Sequence, residues 1–267
     1  MLKIDKIHKN EWCFSEPYDS RSSFEEFEVV LELMDAGKLE QSEKKLKHFI
    51  KKHPYHIDAW HHLSLIYAWQ GFELEAYLAA REAVRIGVEA LPTTFKWKSS
   101  KIEWGHLENR PFLRACHHLG LILHERKETE KAIEIFEKIL SVCPNDNIGI
   151  RLYLPLLWFE SNDIDSIISH CKKHNDTYMP EIAYNLPLAL MMKGDFEAAE
   201  SLIKEAIDNL PLVAKELLKK RHTKPKSNAF GGITLGGTDQ AYEYWKNYGL
   251  FWKGKKEYLE FIKKIKV

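Results

Sequence analysis

The chain has 267 residues, 45% of them hydrophobic and 12% aromatic, with 39 Lys/Arg against 39 Asp/Glu. That is an ordinary soluble globular composition with material for a sizeable core, and zero net charge argues against nucleic-acid binding driven by overall charge. No segment approaches the ~18 apolar residues of a membrane span, and the opening MLKIDKIHKNEW lacks a signal-peptide core.

Residues 1–22, with Trp12 and Phe14, read as an N-terminal extension covering the start of the fold. From residue 23 a pattern of large and small apolar residues recurs about every 34 positions. The first unit of the pattern, 23–56, carries Val29, Leu33, Gly37, Leu46 and Phe49 and closes at Pro54. The second, 57–90, places Trp60, Leu63 and Tyr67 on one helix face and Ala76, Ala80 and Ala83 where the next helix must approach closely. Residues 91–112 interrupt the pattern as an insertion. It resumes over 113–146 (Leu119, Gly120, Leu123, Ala132, Phe136, Pro144), degenerates over 147–179 and recovers over 180–213, ending near Pro211. Residues 214–267 hold a basic helix, a Gly-rich loop (FGGITLGGTD) and an aromatic helix pair, 241–251 and 255–266, that reads as a C-terminal cap. Repeat length and residue size together predict an all-α, tetratricopeptide-like (TPR-like) solenoid of about five helix-turn-helix repeats, in blocks 23–90 and 113–213.

In such repeats the first helix of each pair lines the concave surface. The register points His61, Leu65 and Trp69 inward from the second repeat, and Arg114, His117, Leu121 and His124 from the third. Arg151 and Trp158 follow from the fourth, then Tyr184, Asn185, Leu188 and Met191 from the fifth. Aromatic, thioether and cationic groups in one groove suit a peptide or partner helix with apolar anchors and an acidic group, which Arg can grip with its fork. The expected function is non-catalytic protein–protein interaction, with no cofactor and no nucleic acid. The alternatives are a ligand- or metal-binding enzyme or sensor using His117, His124 and Arg151, and a nucleic-acid-binding helical repeat using the basic end. Residues 211–267 carry 13 Lys/Arg against 5 Asp/Glu, which read first as a solvated helix face and linker.

Other chemistry is thinly signalled. His170 and His174 share a helix face as zinc ligands would, but no second pair with ligand spacing follows. The Gly-rich loop lacks the GK[ST] ending of a phosphate loop. Four widely spaced cysteines without a CxxC pair read as reduced thiols, so a cytoplasmic location is expected. Pro155 and Pro187 fall inside first helices and release the carbonyls of Arg151 and Ala183, either to a ligand or simply as bends.

The segment WGHLENRPFLRACHHLGLIL, followed by PNDNIGIR, is the most distinctive stretch. It resembles a largely uncharacterised TPR-like branch and is similar to the suppression-of-tumorigenicity 7 family over roughly 104–252. The resemblance marks Glu108, Asn109, Arg110, Pro111, Arg114, Asn145, Asp146, Asn147, Gly149 and Arg151 without assigning them chemistry. Physically, Asp146 or Asn147 is placed to cap a helix starting near Ile148. Arg114 and Arg151 could brace adjacent repeats through the Glu108 or Asp146 carboxylates. Where co-chaperone relatives carry a Lys/Asn clamp for acidic tails, this chain has Phe27, Leu31, His62 and His118, so that mode of docking is not expected.

Overall fold

The structure, a computed structural model, describes residues 2–15, 21–226 and 232–266. The chain divides into two compact units, Met1–Ile150 and Arg151–Val267. In the first, helices follow one another as hairpins: α1 (Arg21–Asp35) with α2 (Leu39–Lys52), α3 (Ile57–Gln70) with α4 (Glu73–Ala90), and α5 (Arg110–Glu125) with α6 (Thr129–Val142). The second unit takes up α7 (Ile150–Glu160) with α8 (Ile164–His174), then α9 (Pro180–Ala183) and α10 (Asn185–Met192) with α11 (Phe196–Asn209). It closes with α12 (Pro211–Leu217), α13 (Thr238–Trp252) and α14 (Lys256–Lys266). The fold is the all-α TPR-like helical repeat that the sequence predicts.

All five hairpins turn by one device. Gly37, Gly71, Lys127, Asn162 and Gly194 adopt left-handed φ. Each donates its N–H three residues back, and the following residue donates five back, as Lys38 does to Leu33 and Asp163 to Trp158. This double bond satisfies the last carbonyls of the first helix and fixes the direction of the second. Lys127 and Asn162 hold that conformation without glycine, which is why the third and fourth turns are hard to see in the sequence.

Within and between the hairpins the core is apolar. Val30, Leu46, Phe49, Leu63 and Ile66 are buried in one cluster, and Ala76, Ala79, Ala80 and Ala83 line the buried side of α4. Such short side chains let α3 and α4 approach closely.

The N-terminal segment corrects one expectation. Strands β1 (Lys3–Lys6) and β2 (Trp12–Ser15) form an antiparallel hairpin that docks on the insertion rather than capping the first repeat. Trp12 N–H donates to the Lys101 carbonyl at 2.9 Å, Trp12 meets Phe95 at 5.9 Å between ring centres, and Phe14 meets Phe112 at 5.2 Å. Residues 16–20 of the expected extension lie outside the described residues.

In the second unit, α13 packs chiefly on α12, and α14 returns to α11, where Phe196 meets Tyr258 and Phe261. The closing aromatic helices are therefore not a hairpin of their own. Residues 227–231 of the Gly-rich segment lie outside the described residues. Its later part leads into α13, with Thr234 N–H donating to Asp239 Oδ2 at 2.8 Å and Gly236 N–H to Gln240 Oε1 at 2.7 Å.

Candidate functional site

On α3, residues 58, 62, 65 and 69 share one face by helical spacing, and on α5 residues 114, 117, 118, 121 and 124 do the same. Beneath these faces the two helices bury Leu63, Ile66, Leu119 and Leu123. Asp58, His62, Leu65, Arg114, His117, His118, Leu121 and His124 are half-buried, and Trp69 is 58% exposed. Three hydrogen bonds tie α3 to α5. Arg114 Nη2 donates to both Asp58 oxygens at 2.8 and 3.0 Å, and His118 Nε2 lies 3.0 Å from Ser64 Oγ. Arg114 therefore braces adjacent repeats, but through Asp58 rather than Glu108 or Asp146. Asp58 and Ser64 went unmarked in the sequence; their spacing from His62 and His61 was the only signal.

Hydrogen-bond logic fixes several imidazoles. Ser64 spends its one hydroxyl proton on the Ala76 carbonyl at 2.7 Å, so His118 Nε2 must be the donor to Ser64 Oγ. His62 Nδ1 lies 2.7 Å from the Asp58 backbone carbonyl and must donate to it. His56 does the opposite: its Nδ1 accepts the Ala59 N–H at 3.1 Å and caps α3. His61, expected in the groove, is 6% exposed, and burial pushes its pKa down to about 2. Burial also lowers His117, and lowers His56 and His118 to about 4.

Most of the ENRP segment is architectural. Asn109, wholly buried, accepts the Phe14 N–H at 3.0 Å and donates to the carbonyls of Trp12 at 3.1 Å and Glu103 at 3.0 Å. Glu108 accepts the Cys13 thiol at 3.8 Å. Arg110 donates to the Trp104 carbonyl at 3.1 Å and lies over its ring at 5.2 Å. Asp146 accepts the Ile150 N–H at 2.8 Å and starts α7, two residues later than expected, while Asn147 is exposed.

The Tcf25 family, described as "Transcriptional repressor TCF25", matches residues 19–245. This chain belongs to the Tcf25 family. That is a different family from the one the ENRPFLRA segment resembles. No curated protein matches the chain. Among solved structures it is similar to YrrB, "a TPR protein with an unusual peptide-binding site", at 15% identity and TM-score 0.53, over 70% of this chain and 85% of that one. It is similar to MamA at 15% identity and TM-score 0.52, over 74% and 97%. The MamA of Desulfovibrio magneticus RS-1 gives 13% and 0.52, over 71% and 96%. At these identities the likeness shows the fold alone.

The second unit of this Tcf25-family chain corrects the groove expected there. Trp158 is buried against His170, with ring centres 4.9 Å apart. Tyr184 and Asn185 have no exposed surface. Tyr184 donates to the Leu210 carbonyl at 2.9 Å, and Asn185 Oδ1 accepts the Tyr244 hydroxyl at 2.8 Å. Leu188 and Met191 are equally buried. The physical reason is enclosure within the unit: Tyr244 of α13 covers Tyr184 and Asn185, His170 of α8 meets Trp158, and α10 packs between α8 and α11. Arg151 is half-buried. Among the described residues no three His, Cys, Asp or Glu side chains converge as metal ligands would, and no helix is long and apolar enough to cross a membrane.

The freed carbonyl at Pro155 is answered within the same unit. His170 Nε2 lies 2.7 Å from the Arg151 oxygen; a carbonyl only accepts, so the ring donates. We expect His170→Phe to cost about 1–3 kcal/mol by orphaning that carbonyl. In a Pro155→Ala background the new N–H can take the carbonyl, and the cost should fall below about 0.5 kcal/mol. A denaturant double-mutant cycle measures the difference; equal costs in both backgrounds would refute the pairing.

Proposed function

We propose that this Tcf25-family chain is a non-catalytic interaction scaffold that holds a peptide or partner helix against the α3–α5 stripe of the first unit. The observation that carries this reading is the stripe itself. It is a row of half-buried His, Leu and Arg side chains, ending in an exposed Trp69, on helices that bury Leu63, Ile66, Leu119 and Leu123 in the core. Trp and Arg over a partly desolvated surface are the usual anchors of binding energy. Arg114 gives one nitrogen to Asp58 yet stays 39% exposed, so a partner's carboxylate can share it, while apolar anchors fall to Leu65, Trp69 and Leu121. The family description makes a protein of the transcription machinery the first partner class to try. Four thiols, three of them buried, fit a reducing compartment such as cytoplasm or nucleus.

The test is a photo-crosslinking residue at position 69 or 121, compared with one at the exposed Leu250. A protein joined from 69 and 121 but not from 250 is the expected result. Its binding in purified form should weaken at least tenfold on Trp69→Ala. Equal crosslinking from all three positions, or unchanged affinity, would overturn the reading.

A further inference from the structure

The first unit contains a continuous seam of imidazole and phenyl rings crossing its three helix hairpins. Phe49 meets His53 at 4.6 Å and His56 at 5.1 Å, and Phe27 meets His56 at 5.0 Å and His62 at 5.4 Å. His62 then meets His61, and His61 meets His118, each at 5.3 Å. Every interface of α3 with α1, α2 and α5 runs through this seam. We propose that α3 is an acid-released element, capped and packed by neutral imidazoles at neutral pH and freed with the α3–α5 stripe when they take up protons.

The geometry gives two independent reasons. First, His56 caps α3 through an unprotonated Nδ1. An imidazolium has no acceptor, so a proton there removes the cap and leaves the Ala59 N–H without its bond. Second, His61 Nδ1 is buried without a hydrogen-bond partner. A charge on that ring would sit 5.3 Å from two other imidazoles in a site that water does not reach. The groups facing the seam mostly add to the effect. His53 comes from α2, His62 from α3, and Arg114, His117 and His118 from α5. On the α4 side the polar contact is the neutral Ala76 carbonyl. Lys47 and Glu43 pair with each other and reach α3 at its far end, at Tyr67 and Gln70. Asp58 is an opposing charge, and Arg114 already holds it.

The sign follows from burial. His56, His61 and His118 are all lowered from the ordinary value of 6.5. Below pH 6.5 the opened chain takes up protons that the closed seam refuses, so stability present above that value is lost as pH falls. Each such group weakens the closed state about tenfold per pH unit.

The experiment is hydrogen exchange with mass spectrometry on the full chain at pH 7.0, 6.0 and 5.0, corrected for intrinsic rates. It reads the seam directly and so stands or falls apart from whether the stripe binds a partner. Expected is a fall in protection of at least a hundredfold in peptides from 57–70 and 110–125 between pH 7.0 and 5.0, with 196–209 unchanged. His56→Asn supplies a cap that does not titrate and should remove about tenfold of that fall. Pairing it with His61→Leu should remove more. Protection that ignores pH, a loss equal across the chain, or a His56→Asn protein that keeps the full wild-type response would each overturn the proposal.

Discussion

Gly120→Ala should destabilise the first unit by about 3 kcal/mol and lower its melting temperature by roughly 6–12 °C. A Cβ at position 120 would lie 2.4 Å from Phe136 Cε1 and 2.6 Å from Cζ. Phe136 has no exposed surface, so its ring has nowhere to withdraw and α5 and α6 must part. The closeness of these two helices is thus a property of one missing methyl group. Gly87 makes the same demand on α4 against Phe112. Two comparisons isolate the cause. Gly105→Ala, with nothing within 4 Å of the new carbon, should stay within about 0.5 kcal/mol of wild type. Phe136→Leu should recover part of the Gly120→Ala loss by giving the methyl room. Thermal unfolding of the three variants measures both, and a Gly120→Ala protein as stable as Gly105→Ala would show that the contact relaxes at no cost.

Asn109→Leu is the second large effect, expected at about 3–5 kcal/mol in hairpin docking. The substitution strands the Phe14 N–H and the carbonyls of Trp12 and Glu103 in a dry interface, each worth roughly 1–3 kcal/mol when left unmet. Loss of docking limits the damage, because the hairpin can leave while the helices stay. Amide protection over residues 2–15 should therefore vanish, with 57–90 keeping theirs. Asn109→Asp separates the bonds: it keeps the acceptor for Phe14 and sets a carboxylate against two carbonyls, so it should undock the hairpin too. Retained protection over 2–15 in Asn109→Leu would mean that ring contacts alone, Phe14 on Phe112 and Trp12 on Phe95, hold the strands.

Local chemistry was legible in the sequence wherever one helix decides it. Period and residue size gave the hairpins, because Ala76, Ala80 and Gly120 are small for reasons that lie within their own repeat. The stripe of Trp69, Arg114, His117 and His124 follows from i+3 and i+4 spacing along α3 and α5. What was hidden came from segments far apart in the chain. Tyr184 and Asn185 share the register of groove residues, but Tyr244, 59 positions on from Asn185, encloses them. His61 shares the register of Trp69 only approximately, and one residue of rotation separates a buried ring from an open one. Lys127 and Asn162 hide two turns because their left-handed backbones carry no glycine to announce them.

The bonds that seat the N-terminal hairpin reach from Phe14 to Asn109 and from Trp12 to Lys101 and Asn109. During synthesis, therefore, β1 and β2 emerge before Lys101 and Asn109, on which they dock. At ordinary elongation rates their partners follow roughly 5–20 s later, long after the first two helix hairpins can have formed. Meanwhile the outer edge of β2 is unpaired, the kind of edge that recruits neighbours. That edge closes only when Lys101 and Asn109 have been made and take up the bonds of Trp12 and Phe14.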